Sequence, residues 1–491
     1  MGNPTRAPFI GIFCISIFRV ALLIGLGGSS LAADLNREVD SLLALDPLEG
    51  TSWSVLFADA ETGQVVAAHD PKRLLVPASV TKLWTTAAAF RTLGADYKFV
   101  TKVAAAGPPD ASGALRGSLQ IICGGDPMFE LKTRRGFGQP AQKKIAVELF
   151  AQGLRRVEGD LEIVVNAFER SCGNGVWEMG DLREGFAPTV DGAGFNSNVC
   201  NVEIAPGEHV DAPAEVHFEP QFAPITVRNN IVTVGKGNES WIEYRVTPCE
   251  DELEINGVMA LQDDPQYIWF PLQEPARYLG LAIRNALEQK GITISGSVQV
   301  LRNVSPASHI LLEVSSAPMS NIAAIVNKDS DNYLAEYLLM AVAKESFGHG
   351  STEAGVRAIQ RFARGLEIHR DAFSLEDGCG LSRQNIFSAE AVVKLLRAMI
   401  ASEEGNDFEA SLSQSGVDGT LTGRLSANGM LGRVHAKTGT MTNVSSIAGY
   451  IGLDNGKRIA FAIISNNFRC SRNYVRNTQD DLIRAVFRAS N

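Results

Sequence analysis

The sequence contains no C-x-x-C pair and no cysteine–histidine cluster with the spacing of zinc ligands, so no metal site and no cofactor are predicted. It has no stretch rich in lysine and arginine, and a formal net charge of −10 disfavours nucleic acid as a partner. It also has no low-complexity run, and 45% of its residues are hydrophobic. A chain of 491 residues with these properties predicts two or three globular domains.

The N-terminal segment differs from the rest of the chain. Its first 32 residues lack Asp and Glu, contain Arg19, and include an apolar run over 20–26. Ser30 and Ala32 supply small residues at positions −3 and −1 of a cut after Ala32, which is typical of a signal peptide. An uncleaved anchor is the alternative, disfavoured by the cost of burying Arg19 in lipid. We therefore predict a signal peptide over 1–32, a periplasmic protein, and peripheral or no membrane contact after cleavage.

Loss of Cys14 with the signal leaves six cysteines. An oxidising compartment permits disulfides, but the pairing is not decided by the sequence. Cys172, Cys200 and Cys249 lie in the middle region and are better candidates for bridges than Cys123, which lies in an apolar strand. Buried free thiols are the alternative.

Ser79 and Lys82 form the chain's one S-x-x-K motif, at the start of a helix predicted to run to about Gly94. Residues three apart lie on the same face of a helix, so the amine and the hydroxyl are neighbours. A desolvated lysine with a lowered pKa can take the proton of a serine nucleophile. We expect Lys437 to be the cation that lowers the pKa of Lys82.

Two further motifs are Ser330-Asp331-Asn332 and Lys437-Thr438-Gly439-Thr440. Ser330 can relay a proton to a leaving amine, and Asn332 can bind a substrate amide. Lys437 and the threonine hydroxyls can bind a carboxylate. Individually, these residues could be a helix cap cluster and an exposed strand lysine.

An oxyanion hole is predicted from two backbone N–H groups. Ser79 lies near a helix N-terminus, where N–H groups and the helix dipole favour negative charge, and Thr440 N–H is the second donor. Gly439, without a side chain, would let a substrate backbone approach the strand.

The element pattern predicts an α/β protein of several domains. Strands Ser52–Ala60 and Gln64–His69 precede the Ser79 helix, and three strands after residue 431 are expected to join them. We predict a catalytic domain from 33–92 and 305–491, interrupted by a mainly β region over 93–304.

Further stretches extend the pattern along nearly the whole chain; they are Gly124–Pro127, Asn327–Glu336, Asp377–Arg383 and Gly416–Leu421. With the three motifs, they resemble the class C low-molecular-mass penicillin-binding proteins, the D-alanyl-D-alanine carboxypeptidase/endopeptidases of peptidase family S13. The long stretch between Ser79 and Ser330 is similar to this family and unlike a β-lactamase. The departures are Cys379 in place of Ser and Asn443 in place of Gly.

The resemblance implies a transpeptidase-like α/β core with an inserted second domain and a third nested inside it. It implies a serine DD-peptidase that forms an acyl-enzyme at Ser79, cleaves D-Ala-D-Ala bonds in peptidoglycan stem peptides and binds β-lactams covalently. Asp181 follows Trp177 at the spacing of an acid that, in some relatives, contacts the diamino acid of the stem peptide. An ordinary surface acid is the alternative.

Two other classes of function are weighed against this one. A β-lactamase or esterase would need a group that rapidly deacylates Ser79, and no such glutamate is found by motif. A scaffold without activity is disfavoured by the intact motifs. A Ser/His/Asp hydrolase is disfavoured as well, because no G-x-S-x-G surrounds Ser79 and no Asp is placed to orient His435. The balance of carboxypeptidase and endopeptidase activity, the diamino acid and the oligomeric state stay open.

Overall fold

The structure is a computed structural model that describes residues 33–130, 140–172, 175–247 and 250–491. The predicted signal peptide, 1–32, lies outside the described residues. No helix in the described ranges is both long and apolar enough to cross a membrane.

The described chain is a mixture of helices and strands, so the predicted α/β class is confirmed. The helices are α1 (33–43), α2 (Lys82–Leu93), α3 (Ala141–Ala151), α4 (Pro275–Lys290), α5 (Met319–Lys328), α6 (Asn332–Phe347), α7 (Thr352–Gly365), α8 (Ala389–Ile400), α9 (Gly405–Ala410) and α10 (Arg472–Ser490). The strands are β1 (Ser52–Asp59), β2 (Val65–His69), β3 (Val100–Ala105), β4 (Ala114–Leu115), β5 (Leu119–Cys123), β6 (Arg156–Val157), β7 (Leu161–Val165), β8 (Val199–Ala205), β9 (Glu215–Glu219), β10 (Thr226–Val234), β11 (Trp241–Val246), β12 (Glu252–Ala260), β13 (Gln266–Pro271), β14 (Thr293–Ile294), β15 (Val298–Arg302), β16 (His309–Ser315), β17 (Phe373–Ser374), β18 (Ile386–Phe387), β19 (Ser413–Gln414), β20 (Val434–Met441), β21 (Val444–Gly452) and β22 (Arg458–Asn466).

A six-stranded antiparallel sheet joins the two ends of the chain, in the order β19-β20-β21-β22-β1-β2. Successive side chains of a strand point to opposite faces, and both faces of this sheet are covered. In β1, Val55 and Phe57 pack with α1 and α10, whereas Leu56 and Ala58 pack with the helical layer of α2, α5, α6 and α8. The sheet therefore lies between two helical layers.

The middle of the chain builds a second core around a five-stranded sheet of order β15-β7-β5-β3-β16, on which α3 and α4 pack. Three smaller sheets, β10-β12-β11, β13-β8-β9 and β14-β6-β4, accompany it. Strand β16 pairs antiparallel with β3, although it follows residue 304, where we predicted the inserted region to end. The domain limits stay a prediction, and this pairing favours an end of the insertion near Ser316.

Among the described cysteines, Cys123, Cys172, Cys200, Cys379 and Cys470, no two are bonded to each other. The predicted bridge partners Cys172 and Cys200 are therefore not joined. Cys249, the third candidate, lies outside the described residues.

Candidate active site

Ser79 lies in a short 3₁₀ helix, Ala78–Thr81, and not in the first turn of the α-helix as predicted; α2 begins at Lys82. The turn starts from Ala78 with a positive φ of 49°, which is uncommon for a residue with a side chain. The hydroxyl of Thr81 donates to the Ala78 carbonyl at 2.8 Å and holds the turn closed. Strained backbone of this kind is found at functional sites, where the surroundings hold it in place.

Two glycines allow other segments to approach the Ser79 turn. A Cβ on Gly439 would lie 2.5 Å from the Pro77 carbonyl oxygen and 3.0 Å from Ser79 N, and one on Gly380 would lie 2.2 Å from the Ala78 oxygen. Because residue 439 has no side chain, the turn that carries Ser79 can pack against β20. From the sequence we expected this space to be filled by the backbone of a substrate instead.

The amine of Lys82 is fully buried and has three acceptors from three parts of the chain. It donates to Ser79 Oγ at 3.0 Å, to Asn332 Oδ1 at 2.6 Å and to the Cys379 carbonyl oxygen at 2.6 Å. The predicted serine–lysine pair is therefore in hydrogen-bonding contact. A neutral Lys82 in this position can accept the hydroxyl proton of Ser79.

Burial is the main cause that lowers the pKa of Lys82, because an ammonium ion loses its hydration there. Negative charge near the amine, including that of Asp377, acts in the opposite direction. The expected cause, the charge of Lys437, is not what lowers it. The pKa of Lys437 is itself lowered, first by burial and then by Lys82. We therefore correct the source of the shift to desolvation.

The second contact of the site joins Ser330 and Lys437. The Lys437 amine, fully buried, donates to Ser330 Oγ at 2.9 Å and to the Thr438 carbonyl at 2.7 Å. Ser330 has a φ of 61°, which turns the chain between α5 and α6 and is held by this contact. These two contacts hold Ser330 Oγ beside the Lys437 amine, and the role of Lys437 in binding a carboxylate stays a prediction.

Asn332 begins α6, whose N-cap is the preceding Asp331. Both ends of its amide have protein partners: Oδ1 accepts from Lys82, and Nδ2 donates to the Phe186 carbonyl at 2.9 Å. We expected this amide to bind substrate. In the structure it orients the catalytic amine and ties it to the middle region of the chain.

Asp377 organises the loop that supports Lys82, a role that sequence reasoning missed although its motif was identified. Its buried carboxylate accepts from Gly380 N, Ser382 N, Asn385 Nδ2 and Trp177 Nε1, at distances from 2.7 to 3.0 Å. The loop so held aims the Cys379 carbonyl at Lys82. Two backbone N–H groups, one side-chain amide and one indole N–H thus donate to this carboxylate. Without such donors a buried anion would be energetically costly.

Glu336 is buried beside this loop and accepts from Gly378 N at 2.8 Å. Burial raises the pKa of Glu336 to about 8, so at neutral pH the carboxyl is mostly protonated. The charge of an ionised Glu336 would raise the pKa of Lys82, so the protonated form of Glu336 favours the neutral lysine.

The two departures from the motif pattern are accommodated. Asn443 takes a φ of 58° in the turn between β20 and β21, a conformation that asparagine tolerates better than most residues. Cys379 is buried and places its Sγ 3.7 Å from Asp377 Oδ2. His435 contacts Glu409 at 3.4 Å and donates nothing to the serine–lysine pair.

Asp181 is half-buried in a 3₁₀ helix, Asp181–Arg183, within a segment that crosses the site. On one side of it Trp177 donates to Asp377, and Glu178 pairs with Arg383 at 2.8 Å. On the other side the Phe186 carbonyl accepts from Asn332. Burial, and next the charge of Glu178, raise the pKa of Asp181. No contact joins its carboxylate to the catalytic side chains in the described structure.

The remaining residues of the predicted site lie on β20. Thr438, Gly439 and Thr440 line a cavity of about 250 Å³ that opens beside the Ser79 turn. A Cβ on Gly439 would lie 3.0 Å from Ser79 N, so the two predicted N–H donors, those of Ser79 and Thr440, belong to adjoining segments. The arrangement is of the kind that a serine enzyme working by acyl transfer with a lysine base requires.

The chain belongs to the D-Ala-D-Ala carboxypeptidase 3 (S13) family, whose model matches residues 35–488. It is 30% identical over 448 residues to a D-alanyl-D-alanine carboxypeptidase of Actinomadura sp. (strain R39), covering 88% of this chain and 81% of that one. It is 26% identical over 443 residues to the D-alanyl-D-alanine carboxypeptidase DacB of Haemophilus influenzae, covering 89% and 90%. The predicted family and the predicted enzyme class, a serine-type D-Ala-D-Ala carboxypeptidase, are confirmed.

The fold agrees with a solved structure as well. Penicillin binding protein 4 (dacB) from Haemophilus influenzae superposes with a TM-score of 0.80 at 24% identity, covering 91% of this chain and 99% of that one. The same protein in complex with a β-lactam superposes with a TM-score of 0.76. The chain therefore has the multi-domain fold of a penicillin-binding protein.

The contact between Gly439 and the Ser79 turn predicts the effect of a single methyl group. In Gly439→Ala, the new Cβ would overlap the Pro77 carbonyl, so β20 and the turn must separate. Misplacement of reacting groups by about 1 Å costs on the order of 100-fold in rate, and we expect acylation of Ser79 by benzylpenicillin to slow by about that factor.

Gly452→Ala is the matched control, because a Cβ there meets nothing nearer than 3.5 Å. Its acylation rate should equal that of the wild type. An unchanged rate in Gly439→Ala, measured by intact mass against time, would contradict the packing argument.

Proposed function

We propose that this enzyme hydrolyses D-Ala-D-Ala bonds of peptidoglycan stem peptides through an acyl-enzyme at Ser79. The observation that carries the proposal is the buried Lys82 amine, held 3.0 Å from Ser79 Oγ by two other acceptors. The family supports the choice of substrate, because its members are D-Ala-D-Ala carboxypeptidases. Cleavage of cross-links between D-Ala and a diamino acid would follow the same steps.

In the first step, Ser79 Oγ attacks the carbonyl carbon between the two D-Ala residues, and neutral Lys82 takes the hydroxyl proton. The carbonyl oxygen becomes an oxyanion, to which the N–H groups of Ser79 and Thr440 donate. Asn332 and the Cys379 carbonyl keep the Lys82 amine in place while its charge changes.

In the second step the C–N bond breaks and the leaving amine of D-Ala needs a proton. Ser330 Oγ lies 2.9 Å from the Lys437 amine and can pass a proton to that nitrogen, replacing it with one from a lysine. Water then attacks the ester carbonyl of the acyl-enzyme and gives a proton to the lysine that supplied the leaving amine. The Lys82 ammonium returns its proton to Ser79 Oγ, so the shortened peptide leaves and the enzyme is restored. A β-lactam follows the first step and stays bound as an ester.

The substrate lies between the two parts of the chain in this proposal. Catalytic groups come from 33–92 and 305–491, and the region predicted as 93–304 supplies Asp181 and the segment around it. Thr438, Gly439 and Thr440 bind the substrate along β20. We also propose that the protein acts in the periplasm, on the evidence of the acid-free, apolar segment before Ala33.

The nucleophile is tested with benzylpenicillin. We expect a single penicilloyl adduct on the tryptic peptide that contains Ser79, no adduct in Ser79→Ala, and release of D-Ala from an acyl-D-Ala-D-Ala peptide by the wild type only. An adduct on another serine would overturn the assignment. Loss of the adduct within seconds, with free penicilloate accumulating, would instead favour a β-lactamase.

The base is tested with Lys82→Arg. Arginine keeps the positive charge but does not deprotonate, so we expect acylation to fall more than about 100-fold with the fold retained by circular dichroism. In the wild type, acylation should rise with pH as Lys82 loses its proton and level off below the ordinary lysine pKa, because burial lowers the pKa of Lys82. Acylation of Lys82→Arg within tenfold of the wild type would contradict the role of the base.

Asp181 is tested with Asp181→Asn. If its carboxylate binds the amine of the diamino acid, a partly exposed ion pair contributes no more than about 1–2 kcal/mol, or roughly five- to thirty-fold in kcat/KM. We expect that loss for peptides with a free side-chain amine, and no change for benzylpenicillin, which lacks it. Equal losses on both would make Asp181 a structural residue, and no loss on either an ordinary surface acid.

A further inference from the structure

The cavity beside β20 is lined by hydroxyl groups and by two arginines. Thr438 and Thr440 contribute from the strand, Thr420 and Ser445 from neighbouring segments, and Arg424 and Arg476 from the side of α10. Its volume of about 250 Å³ is enough for a small anion with part of the group that carries it. Its lining therefore offers both charged hydrogen-bond donors, the guanidinium groups, and neutral ones, the hydroxyl groups.

The two arginines differ in how their charge is balanced. Arg424 is buried and donates to both carboxylate oxygens of Asp480, the shortest contact being 2.6 Å. The carboxylate of Asp480 is therefore paired with Arg424. Arg476 is half-buried, and no carboxylate of the described residues forms an ion pair with its guanidinium. The Arg476 guanidinium therefore lines the cavity without an ion pair among the described residues, although the charge of Asp480 acts on it through space.

Two features of its surroundings disfavour the charged form of the Arg476 side chain. Arg424 Nη2 donates to the Arg476 carbonyl at 3.3 Å, so the two side chains belong to one cluster. Burial, and next the charge of Arg424, lower the pKa of Arg476. An anion in the cavity would relieve both effects, because it would pair with the guanidinium and offset the repulsion between the arginines.

Lys437 is fully buried and is not part of the lining of this cavity. We assigned the carboxylate of the substrate to Lys437, but its amine donates to Ser330 Oγ and to the Thr438 carbonyl. Thr438 and Thr440 belong to the strand that borders the Ser79 turn, so a peptide lying on β20 ends at the cavity.

We infer that Arg476 is the residue that recognises the C-terminal carboxylate of the peptide, together with the hydroxyls of Thr438 and Thr440. The inference rests on the proposed function and adds a specificity-determining residue to it. It explains how the enzyme selects the end of a peptide: a peptide bond in the middle of a chain has no carboxylate to pair with the arginine.

The test compares two peptides that end in D-Ala-D-Ala, one with a free C-terminal carboxylate and one with a C-terminal amide. A charge-assisted contact of this kind corresponds to about tenfold to 150-fold in kcat/KM, and the wild type should prefer the carboxylate by that factor. In Arg476→Gln we expect kcat/KM to fall by the same factor for the carboxylate and to stay the same for the amide. Arg476→Lys should recover part of the preference, because it restores a charge without the planar fork.

Arg472→Gln is the matched control, since Arg472 lies exposed in the first turn of the same helix and its loss removes the same charge. It should keep the wild-type preference. A loss as large as in Arg476→Gln would show a long-range charge effect and overturn the assignment. Equal losses on both peptides in Arg476→Gln, or an unchanged preference, would overturn it as well. If the wild type cleaves neither peptide, the proposed function itself is wrong.

Discussion

The structure depends on the burial of one primary amine. As a base, Lys82 must be neutral and must also point at Ser79, and a flexible lysine side chain in water meets neither requirement. Burial favours the neutral amine, and its contacts with Ser79, Asn332 and the Cys379 carbonyl fix its direction. The nearby charge of Asp377 opposes the loss of the proton. The balance between desolvation and this charge leaves an amine that can exchange a proton with serine during the reaction.

Each acceptor of Lys82 brings a different part of the chain into the site. Asn332 also holds the Phe186 carbonyl, and Asp377, which shapes the Cys379 loop, also accepts from Trp177. The segment that carries Asp181 is therefore fixed by the same groups that orient the base. A substrate bound against that segment lies next to the catalytic apparatus, so selection of the peptide and activation of the serine share residues.

Close backbone contact fixes the Ser79 turn, whose N–H is one donor of the proposed oxyanion hole. Gly439 and Gly380 approach the carbonyls of Pro77 and Ala78 to distances that a side chain would not allow. Preorganised N–H groups stabilise an oxyanion best when they do not have to move during the reaction. The Ser79 turn, held between β20 and the Asp377 loop, meets this condition. Next to Thr438 and Thr440 of the same strand, Arg424 and Arg476 add positive charge.

The sequence by itself determined the fold class and most strands of the central sheet, because residue periodicity is a local property. Its short motifs also predicted a site from Ser79, Lys82, Ser330, Asn332 and Lys437, in which the structure places Ser79 and Asn332 against Lys82 and Ser330 against Lys437. Only the tertiary structure decided what these groups touch. Lys82 and Asn332 are 250 residues apart in the chain, and Arg476 belongs to no motif. Contacts between distant segments bury Lys82 and so lower its pKa, place the Ser79 turn against Gly439, and leave Arg476 without an ion pair. No local pattern encodes these contacts.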